Sequence, residues 1–162
     1  MIKPEIQDAF NKQINAEMYS SYIYLSMAAW FENENLTGMA SWMKTQSREE
    51  WGHAMKFFEH LHERGGRATL AAIKAPPAQW DSPTVVFEEV AKHEQQITGL
   101  INQLVDLAQN AKDHASVNFL QWFVNEQVEE EATAADILHK LKMINKSTNG
   151  LFFLDRALGE RK

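Results

Sequence analysis

The sequence predicts an all-α protein: a bundle of four long helices joined by two short links and one long one, with a short fifth helix after them. Three observations carry this. Helix breakers are scarce, with seven glycines and four prolines in 162 residues, two of the prolines adjacent at Pro76 and Pro77. Long stretches are therefore free of any breaker. Four of those stretches carry apolar residues at three- and four-residue spacing, the period of one helix face. The links between them are unequal in length, which selects among bundle topologies. With 44% apolar residues, the chain is long enough to bury a core as one domain over residues 1–162.

The first helix begins after Pro4, which suits an initial turn, and its stripe runs Ile6, Phe10, Gln13, Glu17, Tyr24, Phe31 to an end at Asn33 to Asn35. The second follows Met39, Trp42, Met43, Gln46, Glu50, His53, Phe57 and Leu61, and stops at Gly65 and Gly66. Residues 65 to 82 show no sustained period and form one long link. Ser82 and Pro83 then make a cap and a first-turn proline for the third helix, through Phe87, Val90, Glu94, Ile97, Ile101, Leu104 and Ala108. A break around Lys112, Asp113 and His114 precedes the fourth, through Leu120, Phe123, Gln127, Glu130, Ala134, Ile137, Leu141 and Ile144. After the turn at residues 147 to 150, the apolar segment Leu151 to Leu158 makes the short fifth helix. Two short links imply two antiparallel hairpins. The long one is read as a crossover that leaves the second and third helices parallel, the alternative being a flexible lid. Two readings also stand for the fifth helix: a contact in assembly, or a segment folded back on its own bundle end.

Composition removes several function classes. The net charge is −6, and 16 basic residues are spread along the chain, so no face suits a phosphate backbone and no nucleic-acid partner is expected. Cysteine is absent, which excludes thiolate metal sites and a cysteine nucleophile. The opening stretch from Met1 to Asp8 lacks the apolar run of a secretory signal, and no later run approaches a membrane span. A cytoplasmic protein without membrane contact is the expectation.

Ligand-type side chains interrupt the middle of every apolar stripe: Glu17 in the first helix, Glu50 and His53 in the second, Glu94 in the third, Gln127 and Glu130 in the fourth. A buried ionised carboxylate costs several kcal/mol without a partner, and no Lys or Arg lies on those stripes near this level. In an antiparallel hairpin, residues equidistant from the turn lie side by side. Glu17 and Glu50 are equidistant from a point between residues 33 and 34, and Glu94 and Glu130 are equidistant from Lys112. The pairs Glu50 with His53 and Gln127 with Glu130 have the i, i+3 spacing that stacks two side chains on one helix face. Carboxylate oxygens with one imidazole, drawn from four helices, suit iron or manganese better than a soft metal. Taken singly, each acid reads as a residue at the solvent margin; the coincidence of levels and spacings is what points to a two-metal centre.

Tyr24, two turns beyond Glu17 on the same face, is either core filler or a partner to the ligands. Glu49, Glu126, Glu129, Glu130 and Glu131 form either a solvated acidic face or an annex for further cations. His60, His62, His93, His114 and His139 are read as surface residues, and the methionines and tryptophans mostly as core or interface filler.

Glu17, the stretch Glu50-Trp51-Gly52-His53, Glu94 and the stretch Gln127-Val128-Glu129-Glu130 closely resemble the bacterial non-haem ferritins, over essentially the whole chain. The resemblance implies a ferritin-like four-helix bundle that stores iron, with a shell of 24 subunits and a ferroxidase centre in each, where Fe(II) is oxidised by dioxygen. It implies one iron held by Glu17, Glu50 and His53. A second would share Glu50 and use Glu94 and Glu130, with Gln127 as a hydrogen-bonding or weak ligand and Tyr24 behind the ligands. It further implies a third iron site at Glu49, Glu126, Glu129 and Glu130. The related bacterioferritins carry Glu-x-x-His on both the second and fourth helices and a haem-ligating methionine after the second-helix glutamate. Here Trp51 follows Glu50 and the fourth helix has Gln127-x-x-Glu130, so no haem is expected. The two irons are expected to be unequal. Two rival readings stay open: a bundle with a purely structural metal, and a small diiron oxidase acting on an organic substrate.

Overall fold

The computed structural model describes residues 1–162 and contains helices and no strands. The helices are α1 (Pro4–Asn33), α2 (Thr37–Glu63), α3 (Pro83–Asn110), α4 (His114–Ile144) and α5 (Thr148–Gly159). Local chemistry sets their ends. Pro4 and Pro83 open α1 and α3, and Ser82 accepts from the Val85 N–H at the start of α3. Asp113 caps α4 by accepting from the Ser116 N–H. Asn35 and Lys112 take left-handed conformations (φ 58° and 54°) that turn the chain within each hairpin. At the end of α2 the same conformation falls to Gly65, and the Gly66 N–H closes on the Leu61 carbonyl at 2.8 Å.

α1 packs along α2, and α3 along α4, as two antiparallel hairpins. Contacts between hairpins give their relative direction. Arg64, past the end of α2, pairs with Asp113 at the start of α4 at 3.0 Å, so those helices are antiparallel. Phe31 near the end of α1 meets Phe87 near the start of α3. α2 and α3 therefore run parallel, which requires the chain to travel the bundle's length between them. It does so along α1: Asn11 bonds Arg67 and Thr69, Asn15 reaches Ala71 and Ala72, and Ser26 donates to the Pro77 carbonyl. Trp80 then meets Trp30 edge-on. The long link is a crossover strapped to α1.

The core is divided into two apolar bodies. One holds Tyr24, Met27, Phe31, Met39, Met43, Phe87, Val90, Ile137 and their neighbours, at the end that carries the α1–α2 turn. The other holds Ile6, Phe10, Ile14, Phe57, Leu61, Ile101, Leu120 and Phe123 with theirs. On every long helix the break between the two falls at the polar positions: Glu17 on α1, Gln46 to His53 on α2, Glu94 on α3, Gln127 to Glu130 on α4. α5 lies across the start of α2, where the Asp155 carboxylate accepts from the Met39 N–H at 2.8 Å. Gly38 admits this approach, because a Cβ there would sit 1.7 Å from the Asp155 carbonyl oxygen. Leu154 is buried by the docking, whereas Phe152 and Phe153 stand exposed. The reading of the fifth helix as folded back on its own bundle end holds for one face, and the other face is left bare. No helix is long and apolar enough to cross a membrane.

Candidate metal centre

Glu17, Glu50, His53, Glu94, Gln127 and Glu130 are all buried and meet at mid-height between the two apolar bodies. Their ligand atoms form two overlapping groups, Glu17 with Glu50 and His53, and Glu50 with Glu94 and Glu130, each within 4.8 Å. Glu50 belongs to both, as a bridging carboxylate would. The His53 ring turns Nδ1 inward, 3.1 Å from Glu50 and 3.9 Å from Glu17, and Nε2 outward, 3.9 Å from Glu126. A ligating Nδ1 needs its proton on Nε2, the nitrogen that faces Glu126. His53, Glu126 and Glu130 make a third group on the outer side.

Neutral donors hold the carboxylates. Gln13 donates to Glu17 Oε1 at 2.8 Å, and Gln46 Nε2 donates to Glu130 at 2.7 Å and to Glu50 at 3.2 Å. Gln127 Nε2 donates to Glu94 Oε2 at 3.1 Å, and the Tyr24 hydroxyl donates to Glu94 Oε1. Tyr24 is therefore hydrogen-bonded to Glu94 as well as being core filler. Glu17 Oε2 is buried with no hydrogen bond at all. None of the four buried carboxylates is ion-paired to a lysine or arginine.

The electrostatics follow from this. Burial, and then the charge of Glu50, hold the Glu17 carboxyl well above the usual range. Burial and the charges of Glu94 and Glu130 do the same to Glu50. Burial raises Glu94 against the bonds from Tyr24 and Gln127, and burial with the neighbouring Glu94 charge pushes Glu130 up to about 7. Burial pushes the Tyr24 phenol up as well. Four desolvated carboxylates with an unpartnered oxygen are a donor set short of positive charge, and divalent cations with a preference for oxygen supply it.

The remaining acidic residues are not all drawn in. Glu126 faces His53, but Glu49 is tied to Arg161 at 2.6 Å and Glu129 is exposed. Two participants escaped the sequence reading. Gln13 and Gln46 each stand four residues before a buried glutamate, and that repeated Gln-x-x-x-Glu on adjacent helices was the available signal. His93 corrects an expectation: it is buried, not at the surface. It bonds the Ser20 hydroxyl at 2.7 Å and lies edge-on to Tyr24, because α3 packs against α1 as well as α4 and so buries a wider arc than one stripe. Burial lowers its imidazole to about 4.

Comparison with known proteins bears on the family and the fold. The family model of the ferritin-like domain matches residues 7–144. The chain is 47% identical over 161 residues to a "Bacterial non-heme ferritin" of Bacteroides fragilis, covering 99% of this chain and 100% of that one. It is 38% identical over 158 residues to the protein of the same name in Escherichia coli, covering 98% and 96%. Among solved structures, an open pore ferritin from the archaeon Archaeoglobus fulgidus superposes with a TM-score of 0.99 at 49% identity, covering 100% of this chain and 99% of that one.

Proposed function

Because this chain belongs to the ferritin family, we propose that it is an iron-storage subunit whose mid-height centre is a ferroxidase, oxidising Fe(II) with dioxygen. The observation that carries the reading is the pair of carboxylate groups that share Glu50 and have no lysine or arginine paired to them. In this reading Fe(II) is the substrate. One ion takes Glu17, Glu50 and His53, and the other takes Glu50, Glu94 and Glu130, with Gln127 and Tyr24 holding Glu94. Each ion gives one electron to a shared dioxygen, which takes up two protons and leaves as hydrogen peroxide. The Fe(III) product hydrolyses, releasing protons, and joins a mineral.

Hard carboxylates favour the ferric state over the ferrous, which lowers the barrier to electron loss. The second position has no imidazole, so its ion is held less tightly and is the first to move on. Gln13 and Gln46 keep ligand oxygens oriented whether ions are present or not. Glu126 and Glu130, with Glu49 and Glu129 near them in the acidic annex, take a third cation. Residues 1–162 act as one domain, in the cytoplasm, within a closed 24-subunit shell of about 450 kDa at 18.6 kDa per chain.

Stopped-flow oxidation of Fe(II) in air tests the assignment. Glu50→Ala and His53→Ala should slow the initial rate at least about tenfold while the shell still forms. Wild-type initial rates in both variants would sink it. Light-scattering mass separates a shell from a small diiron oxidase, and uptake that continues past a few irons per subunit separates storage from a structural metal.

A further inference from the structure

Arg161 lies just past α5, yet its guanidinium reaches the rim of the centre. Its carbon sits 4.7 Å from the centroid of the Trp42 ring, Nη1 donates to Gln46 Oε1 at 2.9 Å, and Nη2 donates to Glu49 Oε2 at 2.6 Å. Gln46 is buried and spends its Nε2 on Glu50 and Glu130. A guanidinium has only donors, so it accepts one amide orientation, with the Gln46 oxygen outward and its NH2 toward the carboxylates. The same cation engages Glu49. This carboxylate stands four residues before His53 on α2 and is close enough for its charge to be felt at Glu130. It is nevertheless held outside the group formed by His53, Glu126 and Glu130.

We propose that Arg161 is a positioning residue for the outer cation: it holds Glu49 aside, so that a divalent ion between Glu126 and Glu130 gains Glu49 as a ligand only when the guanidinium lets go. The inference rests on the reading of the centre as a divalent-cation site. Docking of the segment that carries Arg161 and filling of the outer position then oppose each other, and the coupling runs both ways. The two inner positions do not use Glu49 and are spared this competition.

Co(II), which does not turn over with dioxygen under these conditions, is the probe. Titration of the assembled protein, followed by d–d absorption, should give two tight ions and a weaker third per subunit. Arg161→Gln keeps an amide donor for Gln46 but removes the charge on Glu49, and should tighten the third ion about fivefold. Arg161→Ala should give the same gain if the Gln variant assembles poorly. Arg161→Lys, which keeps the charge, should stay near wild type, and adding Glu49→Gln to Arg161→Gln should abolish the gain. A third-ion affinity indifferent to Arg161→Gln and Arg161→Ala, or a gain that survives the loss of Glu49, overturns the proposal. A wild-type protein that fails to hold two tight Co(II) ions overturns the reading of the centre itself, and the two failures are thereby distinguishable.

Discussion

Glu17 is buried with one carboxylate oxygen bonded to Gln13 and the other bonded to nothing. An amide in its place would keep the Gln13 bond, offer an N–H toward Glu50 and remove the cost of holding a buried carboxyl protonated. Glu17→Gln should therefore stabilise the metal-free protein by about 1–3 kcal/mol, read from denaturant unfolding, and slow Fe(II) oxidation at least about tenfold. A variant that gains stability and keeps full activity would contradict the ligand role. The five strongest ligand candidates were legible in the sequence because each breaks an apolar stripe at a level shared with its neighbour. His93 was not, because its partner Ser20 lies on a helix 73 residues away and nothing local to either residue announces the pairing. Arg161 was illegible for a similar reason: its place depends on how α5 docks, which periodicity within α5 does not encode.

Among the elements, the four long helices and the crossover follow the stripes and breakers closely, since each boundary is set by local chemistry at Pro4, Gly65, Ser82 or Asp113. α5 is different. Its seat on α2 depends on a missing side chain at Gly38 and a single carboxylate, Asp155, capping the Met39 N–H. Gly38→Ala places a methyl group against the Asp155 backbone, and a backbone oxygen cannot rotate away as a flexible side chain could. We expect α5 to lift, with a cost of about 1–3 kcal/mol. Limited proteolysis should then cut near residues 145–160 in the variant while far-UV circular dichroism of the long helices is retained. An α5 as protected as in wild type would show that the helix is held by other contacts. Asp155→Ala should act in the same direction by about 1 kcal/mol, the usual worth of an N-terminal cap.

For the whole molecule, the raised carboxylates make stability depend on pH in a defined direction. Unfolded, Glu130 loses its proton near 4.5; folded, it keeps it to about 7, so the folded state is the one penalised as pH rises. In full this residue costs the metal-free fold about 3 kcal/mol, and Glu17 and Glu50 add to it with the same sign. His93 opposes the trend only below about 6.5, where the unfolded imidazole takes up a proton that the buried one refuses. The melting temperature of the metal-free protein should therefore fall by at least about 2 °C between pH 6.5 and pH 8, and a Co(II)-loaded sample should stay level. A flat metal-free profile across that range would mean the carboxylates are better compensated than their surroundings indicate.

The two apolar bodies, divided at mid-height, give this pH response a mechanical side. Cohesion in the bundle is strong toward both ends and interrupted at the waist, where four buried carboxyl groups that resist ionisation face each other across four helices. Ions seated there act as rivets between two halves that otherwise meet at a polar joint. An empty subunit is loosest where it must open to admit the next ion, and stiffens as it fills, so amide exchange around Glu17, Glu50, Glu94 and Glu130 becomes a gauge of how much metal the centre holds.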